Sequence, residues 1–155
     1  MVIARDTGDA TQPPETATDA EGAARISFKT AIDAHIRWKD RLENYVHGVA
    51  DMPLVIEVVA ADDCCLLGKW IHGNCKTRFS HLEVFQHLLH AHAEFHRHAA
   101  RILASMQRGE QSEAMEQLQM GDYPKASAEV KGLVAKLYVE VLCDPDRSLG
   151  LGGKP

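Results

Sequence analysis

Apolar positions recur at intervals of three and four along almost the whole chain, and that spacing predicts helices. From Ala23 to Gly48, Phe28, Ile32, His35, Trp38, Leu42 and Tyr45 fall in one stripe, the mark of a helix with one buried face. Asp51-Met52-Pro53 reads as a start signal, with Asp51 as an N-cap and Pro53 tolerated in the first turn. The second helix is expected to carry Leu54, Val58, Ala61, Cys65 and Gly68 on one face and to stop near Gly73-Asn74. A third, long helix is expected from about Phe79 to Gln107, with Gly109 just beyond it. Its apolar face is Phe85, Leu88 or Leu89, His92, His96, Ala99 and Leu103. The last helical region spans Ser112 to Cys143, interrupted around Gly121-Asp122-Tyr123-Pro124, because a residue before proline avoids the helical region. Its second half packs through Val130, Leu133 or Val134, Leu137 and Val141. The run Val55-Ile56-Glu57-Val58-Val59 is β-branched enough for a short strand, but no second strand is available to pair with it. Short connections between long amphipathic helices imply antiparallel neighbours, so the expected fold is an all-α, antiparallel four-helix bundle.

The ends read differently. Residues 1–22 are acidic and polar, rich in Thr, Ala, Asp and Pro, and cannot bury enough apolar area to offset their chain entropy. They are expected to form a disordered tail, with residues 23–143 as one helical domain and residues 144–155 as a flexible C-terminal tail. A chain of 155 residues has room for one domain and buries a core without needing a metal as a staple. The formal charge of −5 opposes nucleic-acid or anionic-membrane binding, which needs a basic surface. Cys64, Cys65, Cys75 and Cys143 do not form a spaced disulfide framework, and adjacent cysteines bridge only with strain. With no long apolar run and no secretion signal, a cytoplasmic, reducing location is expected.

Nine histidines are the compositional oddity, five of them between His87 and His98. Position on the helix faces separates them. His92 and His96 are four apart, with Cβ atoms about 6 Å from each other, so two imidazoles can converge on one ion. Alone, such a pair is more often a polar patch. Here it lies on an apolar stripe where leucine is expected, and buried imidazoles cost free energy unless each nitrogen finds a partner. His35 repeats the anomaly on the first helix, in the row of Phe28, Leu42 and Val49; a lone histidine there is usually a satisfied core residue. Cys65 repeats it on the second helix, although cysteine is at ease in any core. Together they place three nitrogens and one sulfur on inward faces of three successive helices, a donor set suited to tetrahedral zinc. Cys64 points about 100° away from Cys65 on a helix and is not expected to share the ion. His47, His72, His81, His87, His90 and His98 read as surface residues or as partners of the ligands, with His90 the most ambiguous. Cys75 is placed in the loop after the second helix, and Cys64 or Cys75 could resolve an oxidised Cys65. Trp38 and Trp70 are read as core aromatics walling off the site, and Gly68 as a place of close approach.

His92-Ala93-Glu94-Phe95-His96 invites comparison with the zinc-protease pattern H-E-x-x-H, but Ala93 stands where the general-base glutamate would be. A sphere closed by four protein ligands is structural or sensory rather than hydrolytic, so no enzyme is expected.

The pieces His35-Ile36-Arg37-Trp38, Cys65-Leu66-Leu67-Gly68-Lys69-Trp70 and His92-Ala93-Glu94-Phe95-His96 resemble the chemoreceptor zinc-binding (CZB) domain family of bacteria. Gly121-Asp122-Tyr123-Pro124-Lys125-Ala126-Ser127 also looks like that family, and the resemblance covers roughly Ile26 to Val141. It implies a four-helix bundle, usually a homodimer, with one zinc per protomer on three histidines and a cysteine. Those ligands carry over to His35, Cys65, His92 and His96. It further implies a regulatory role beside chemoreceptors or diguanylate cyclases, and in some members a response to hypochlorous acid through the zinc-bound cysteine. With no room here for a receptor coiled coil or cyclase domain, the chain acts on a partner in trans, senses alone, or was cut from a longer protein. The rival expectation is a structural zinc in a dimerisation or assembly module.

Overall fold

The computed structural model describes residues 20–49 and 54–143, and among these every regular element is helical. The expected tails at residues 1–19 and 144–155, and the start signal at Asp51-Met52-Pro53, lie outside the described residues.

Helix α1 (Ala20–Val46) buries Phe28, Ala31, Ala34, His35, Leu42 and Val46 along one stripe, with Ile32, Trp38 and Tyr45 partly covered. It stops at Gly48, whose φ of 71° is open to glycine and strained for other residues. The Gly48 and Val49 amides close back onto the carbonyls of Tyr45 and Asn44, a Schellman stop. Val49, expected in the buried row, therefore lies past the helix and is exposed.

The expected second helix is broken. A single turn, α2 (Ile56–Ala60), ends where Ala61 turns extended, and Asp62-Asp63-Cys64-Cys65 follow as a loop. Aspartates bond to nearby backbone in turns and weaken a helix interior, so a pair of them interrupts what the flanking apolar periodicity suggests. The register shifts too: Val59 is the buried residue of α2, and Val58, assigned to the inner face, is exposed. The β-branched run is thus helical rather than a strand. Helix α3 (Leu66–Trp70) leads into a π-type turn (Ile71–Cys75) and then α4 (Lys76–Phe79). Gly73 (φ −96°, ψ −114°) bends the chain where a stop was expected, but helical backbone resumes beyond it.

Helix α5 (Glu83–Gln107) starts later than Phe79, because Phe79 is the buried end of α4 and a turn over residues 80–82, with Leu82 buried, separates the two. Its inner face includes Phe85, Leu88, His92, His96, Ala99 and Leu103, all buried, as the spacing implies. A second Schellman stop at Gly109 (φ 78°) separates it from α6 (Gln111–Met120). Gly121 divides α6 from α7 (Asp122–Cys143), the expected interruption. Pro124 falls in the first turn of α7, where its missing N–H costs nothing. Val130, Val134, Leu137 and Val141 are buried along α7.

Helix α5 is the hub, packing on α7, α2 and α6, while α1 packs on α3, α7, α6 and α5. One contiguous apolar cluster runs through all of them, from Phe28 and Leu42 through Leu67, Phe85 and Ile102 to Leu137. No helix of the described residues is long and apolar enough to cross a membrane.

Candidate metal centre

Helix α5 supplies two donors from one face. The rings of His92 and His96 lie 4.6 Å apart at 74° to one another, and both are fully buried. His96 Nδ1–H donates to the Val59 carbonyl of α2 at 2.6 Å. That bond fixes the proton on Nδ1 and leaves Nε2 with a bare lone pair, the usual arrangement behind a metal-ligating imidazole. Trp38 from α1 covers the His96 ring at 5.1 Å and Phe95 at 5.4 Å. His92 Nδ1 is buried without a hydrogen-bond partner among the described residues. An orphaned ring nitrogen costs about 1–3 kcal/mol, so this imidazole is poorly explained as a core-filling residue.

Cys65 reaches the same point by another route. It is the N-cap of α3, with extended backbone (φ −78°, ψ 162°), and its sulfur accepts the Gly68 N–H at 3.1 Å. The Asp62-Asp63 turn lies directly over Gly68: a Cβ there would stand 1.9 Å from the Asp62 carbonyl oxygen and 2.8 Å from its carbon. Gly68 is therefore the residue that lets the loop close onto α3. Asp62 is tied down by His72, Nε2 to Oδ2 at 3.0 Å. The expectation that a helix face separates Cys65 from Cys64 fails, since neither cysteine lies within a helix. The loop does the sorting. It carries Cys65 to α5 and leaves Cys64 exposed, its thiol donating to Asp63 Oδ1 at 3.5 Å.

Cys65 Sγ stands 3.4 Å from His92 Nε2 and 3.4 Å from His96 Nε2, and the three donors lie within 4.8 Å of one another. Nitrogen at about 2.05 Å and sulfur at about 2.3 Å on a tetrahedral zinc would be about 3.6 Å apart, so the cluster is close to the size zinc requires. Protonation favours it as well. Burial, with His96 and His35 nearby, pushes His92 down to about 2, and burial also lowers His96, so both rings are neutral and able to ligate. Burial raises the Cys65 thiol, against the pull of the Gly68 and Leu67 amides. A bound divalent cation overrides such a rise and holds the sulfur as thiolate.

His35 is buried beside this cluster but outside the group of three. Its Nε2 lies 3.2 Å from Ser127 Oγ of α7, and its ring packs on Phe95 at 4.5 Å. Burial first, then His96, Lys131 and Lys39, bring it down to about 4. Two partners of the site were not singled out as such in the sequence. Ser127 carries a detectable signal, a polar residue in the buried row Tyr123, Ser127, Val130, Val134. The Val59 carbonyl carries none, because any residue there offers one.

The remaining candidates fall away from the cluster. His47, His72, His81, His87 and His90 are exposed and His98 is half-buried; His90 Nε2 faces Glu94 at 3.9 Å, and Glu94 also pairs with Arg97. Cys75 is not in a loop but buried in the π-type turn, its thiol pushed up to about 12 by burial, which makes it an inert core residue rather than a resolving thiol. Trp38 does wall the site, whereas Trp70 packs edge-on against Phe28 at 5.0 Å.

Against known proteins, no curated protein and no solved structure matches the chain. A family model does: residues 35–103 match the chemoreceptor zinc-binding domain, a span that opens on His35 and contains Cys65, His92 and His96. Residues 35–103 are thus similar to the chemoreceptor zinc-binding domain, and within that span Cys65, His92 and His96 gather as a candidate zinc site.

Proposed function

We propose that this protein is a zinc-dependent regulatory domain in which His35 joins Cys65, His92 and His96 as the fourth ligand of one zinc ion. The observation that carries the reading is the placement of the Cys65 sulfur at 3.4 Å from the Nε2 atoms of both α5 histidines. His35 is buried, held neutral and electrostatically close to His96, which supports its membership. Zinc, when bound, holds Cys65 as a thiolate and draws α1, the α3 loop and α5 together. The chain's own residues do the rest: Val59 aims His96, Ser127 holds His35, Gly68 seats the cysteine loop, and Trp38 keeps water off the ring of His96.

A four-ligand sphere leaves no open position for substrate, so the role is sensory and not catalytic. In this reading the helices form an antiparallel four-helix bundle that pairs as a homodimer, and metal occupancy biases helix packing that a partner reads. A chemoreceptor or a diguanylate cyclase acting in trans fits the family. Hypochlorous acid fits as a second stimulus: the Cys65 thiolate takes up its oxygen to become a sulfenic acid, chloride leaves, and the weakened donor loosens the site. The contiguous apolar core favours regulation over a purely structural zinc, since the fold has burial enough to stand without metal.

Metal analysis of the purified protein tests the site, with one zinc per chain expected and a clear loss in each of H35A, C65A, H92A and H96A. Hydrogen exchange of loaded and chelated protein tests the role. Slower exchange confined to α1, residues 61–70 and α5 on loading supports regulation; identical exchange in a folded protein sinks it, and global unfolding on chelation returns the structural reading.

A further inference from the structure

On the outer side of Cys65, away from α5, a cleft of about 480 Å³ opens between α1, α2 and the start of α3. That volume is in the range of small-molecule sites. Its composition is unusual for this chain in two ways. Val55, Val58 and Leu66 line it while 52%, 55% and 62% exposed, so three of the large apolar side chains left in water share one depression. Isolated exposed apolar residues need no explanation, but a gathered set does. The second peculiarity is charge. Lys29, Lys39, Arg97, Arg108 and Lys125 each sit against a neighbouring carboxylate. Arg37 and Lys69, which face the cleft from α1 and α3, make no ion pair among the described residues. A local cationic rim over an apolar wall thus stands on a chain whose formal charge is −5.

We propose that this cleft binds a small amphipathic organic anion, its head group on Arg37 and Lys69 and its hydrocarbon body on Val55, Val58 and Leu66. Arg41 also lines the cleft but is already engaged in another interaction, so the assignment does not depend on it. An acidic head meets two cations that make no ion pair among the described residues, and the alkyl body removes three apolar side chains from water, which a simple inorganic anion or an organic cation cannot do together. Cys65 forms part of the wall, so an occupied cleft covers its half-buried sulfur from the solvent side. The site then regulates what reaches the thiol. Nothing in this assignment depends on zinc.

Decanoate is a suitable probe, with acetate as the head group alone and decyltrimethylammonium as the body with the opposite charge. Calorimetry on the full chain is expected to show saturable decanoate binding and none for the two controls. R37E/L66N is expected to weaken it by about tenfold or more, and R37E alone by a smaller factor, in line with one tenfold step per about 1.4 kcal/mol. In a C64S/C143S background, bound decanoate is expected to slow iodoacetamide labelling of Cys65, read by peptide mass spectrometry. Equal binding of the cationic amphiphile, or unaltered Cys65 labelling at saturation, overturns the proposal. So does capture only by anionic vesicles, or a cleft that becomes accessible only when a dimer is dissociated by dilution. Zinc content measured on the same samples separates the two readings: decanoate binding without zinc removes the metal site alone, and zinc without decanoate binding removes the cleft alone.

Discussion

The two sides of the metal centre are built on different principles. On one side, α5 presents His92 and His96 from 25 residues of continuous helix, and their spacing follows from the helical repeat. On the other, Cys65 is delivered by a loop and a five-residue helix, held from its own segment by the Gly68 amide on its sulfur and by contact of the Asp62 backbone with Gly68. The helix side is backed by neighbours along its whole length; the loop side is backed by a few contacts, any one of which can be removed. A site assembled this way has a fixed half and a movable half. Movement on metal loss or thiol modification should therefore concentrate in residues 61–70.

The largest effects come from deleting one donor on each side. Both H92L and C65A are expected to lower zinc affinity by about a thousandfold, roughly 4 kcal/mol of the total a four-ligand zinc site supplies. In the chelated protein the two should part company. Leu in place of His92 removes a buried nitrogen that has no partner, and is expected to raise stability by about 1 kcal/mol. Alanine in place of Cys65 removes the acceptor for the Gly68 amide and is expected to cost about 1 kcal/mol. Urea denaturation of both variants, alongside competitive zinc titration, measures each number. Equal stability changes would erase the distinction between the two halves.

That same division explains what the sequence could tell. The α5 face was readable because one period extends over seven turns, and His92 and His96 interrupt a row of Phe85, Leu88, Ala99 and Leu103. The break at Gly121 was readable from glycine and proline chemistry. The cysteine segment was not, because its apolar residues continue a helical rhythm across Ala61–Cys65 while local aspartates and a backbone-on-glycine contact set a different path. Helix-face spacing does not distinguish Cys65 from Cys64, because both lie in the loop; the Cys65–Trp70 segment, with its glycine at Gly68, is the sounder guide. His35 was visible as a misfit on α1, yet its hydrogen bond to Ser127 depends on α7 packing that periodicity does not specify.

A pH series separates the halves by sign. Burial pushes His35 from 6.5 to about 4, so the folded chelated protein resists taking up the proton that the unfolded chain accepts. Its contribution is complete above about pH 6.5 and is lost as pH falls through about 4, on the order of 3 kcal/mol. His92 and His96 are lowered as well, so the loss adds in the same direction. The Cys65 thiol is raised above its ordinary 9.0, and its contribution runs the other way: complete below pH 9.0 and lost as pH rises through the folded value. Denaturation midpoints of chelated protein are expected to fall steadily from pH 7 to 4, with a separate decline on the alkaline side that C65A reduces and that the buried Cys75 thiol, also raised, keeps in part. A flat acid limb would mean the imidazoles are better solvated than their burial implies.

The finest test of the movable half is one methyl group. In G68A the added Cβ meets backbone atoms of Asp62, which cannot swing aside as a flexible side chain could, so the Asp62-Asp63 turn must lift. Lifting it draws Cys65 from His92 and His96 while leaving all four proposed ligand residues unsubstituted. A positional loss of this kind, like removal of a partner behind a ligand, is expected to weaken zinc about 10–100-fold, roughly 1.4–2.8 kcal/mol. Faster hydrogen exchange should appear in residues 61–70 and not in α5. Gly132 on α7 is the matched control, since a Cβ there meets nothing within 4 Å and the position is exposed. G132A is expected to stabilise α7 by up to about 1 kcal/mol through helix propensity and to leave zinc affinity unchanged. Opposite signs from the same chemical change would place the effect in the loop's contact with Gly68. Were G68A to bind zinc like the parent, the loop would owe its position to the metal, and the movable half would be ordered by its ligand.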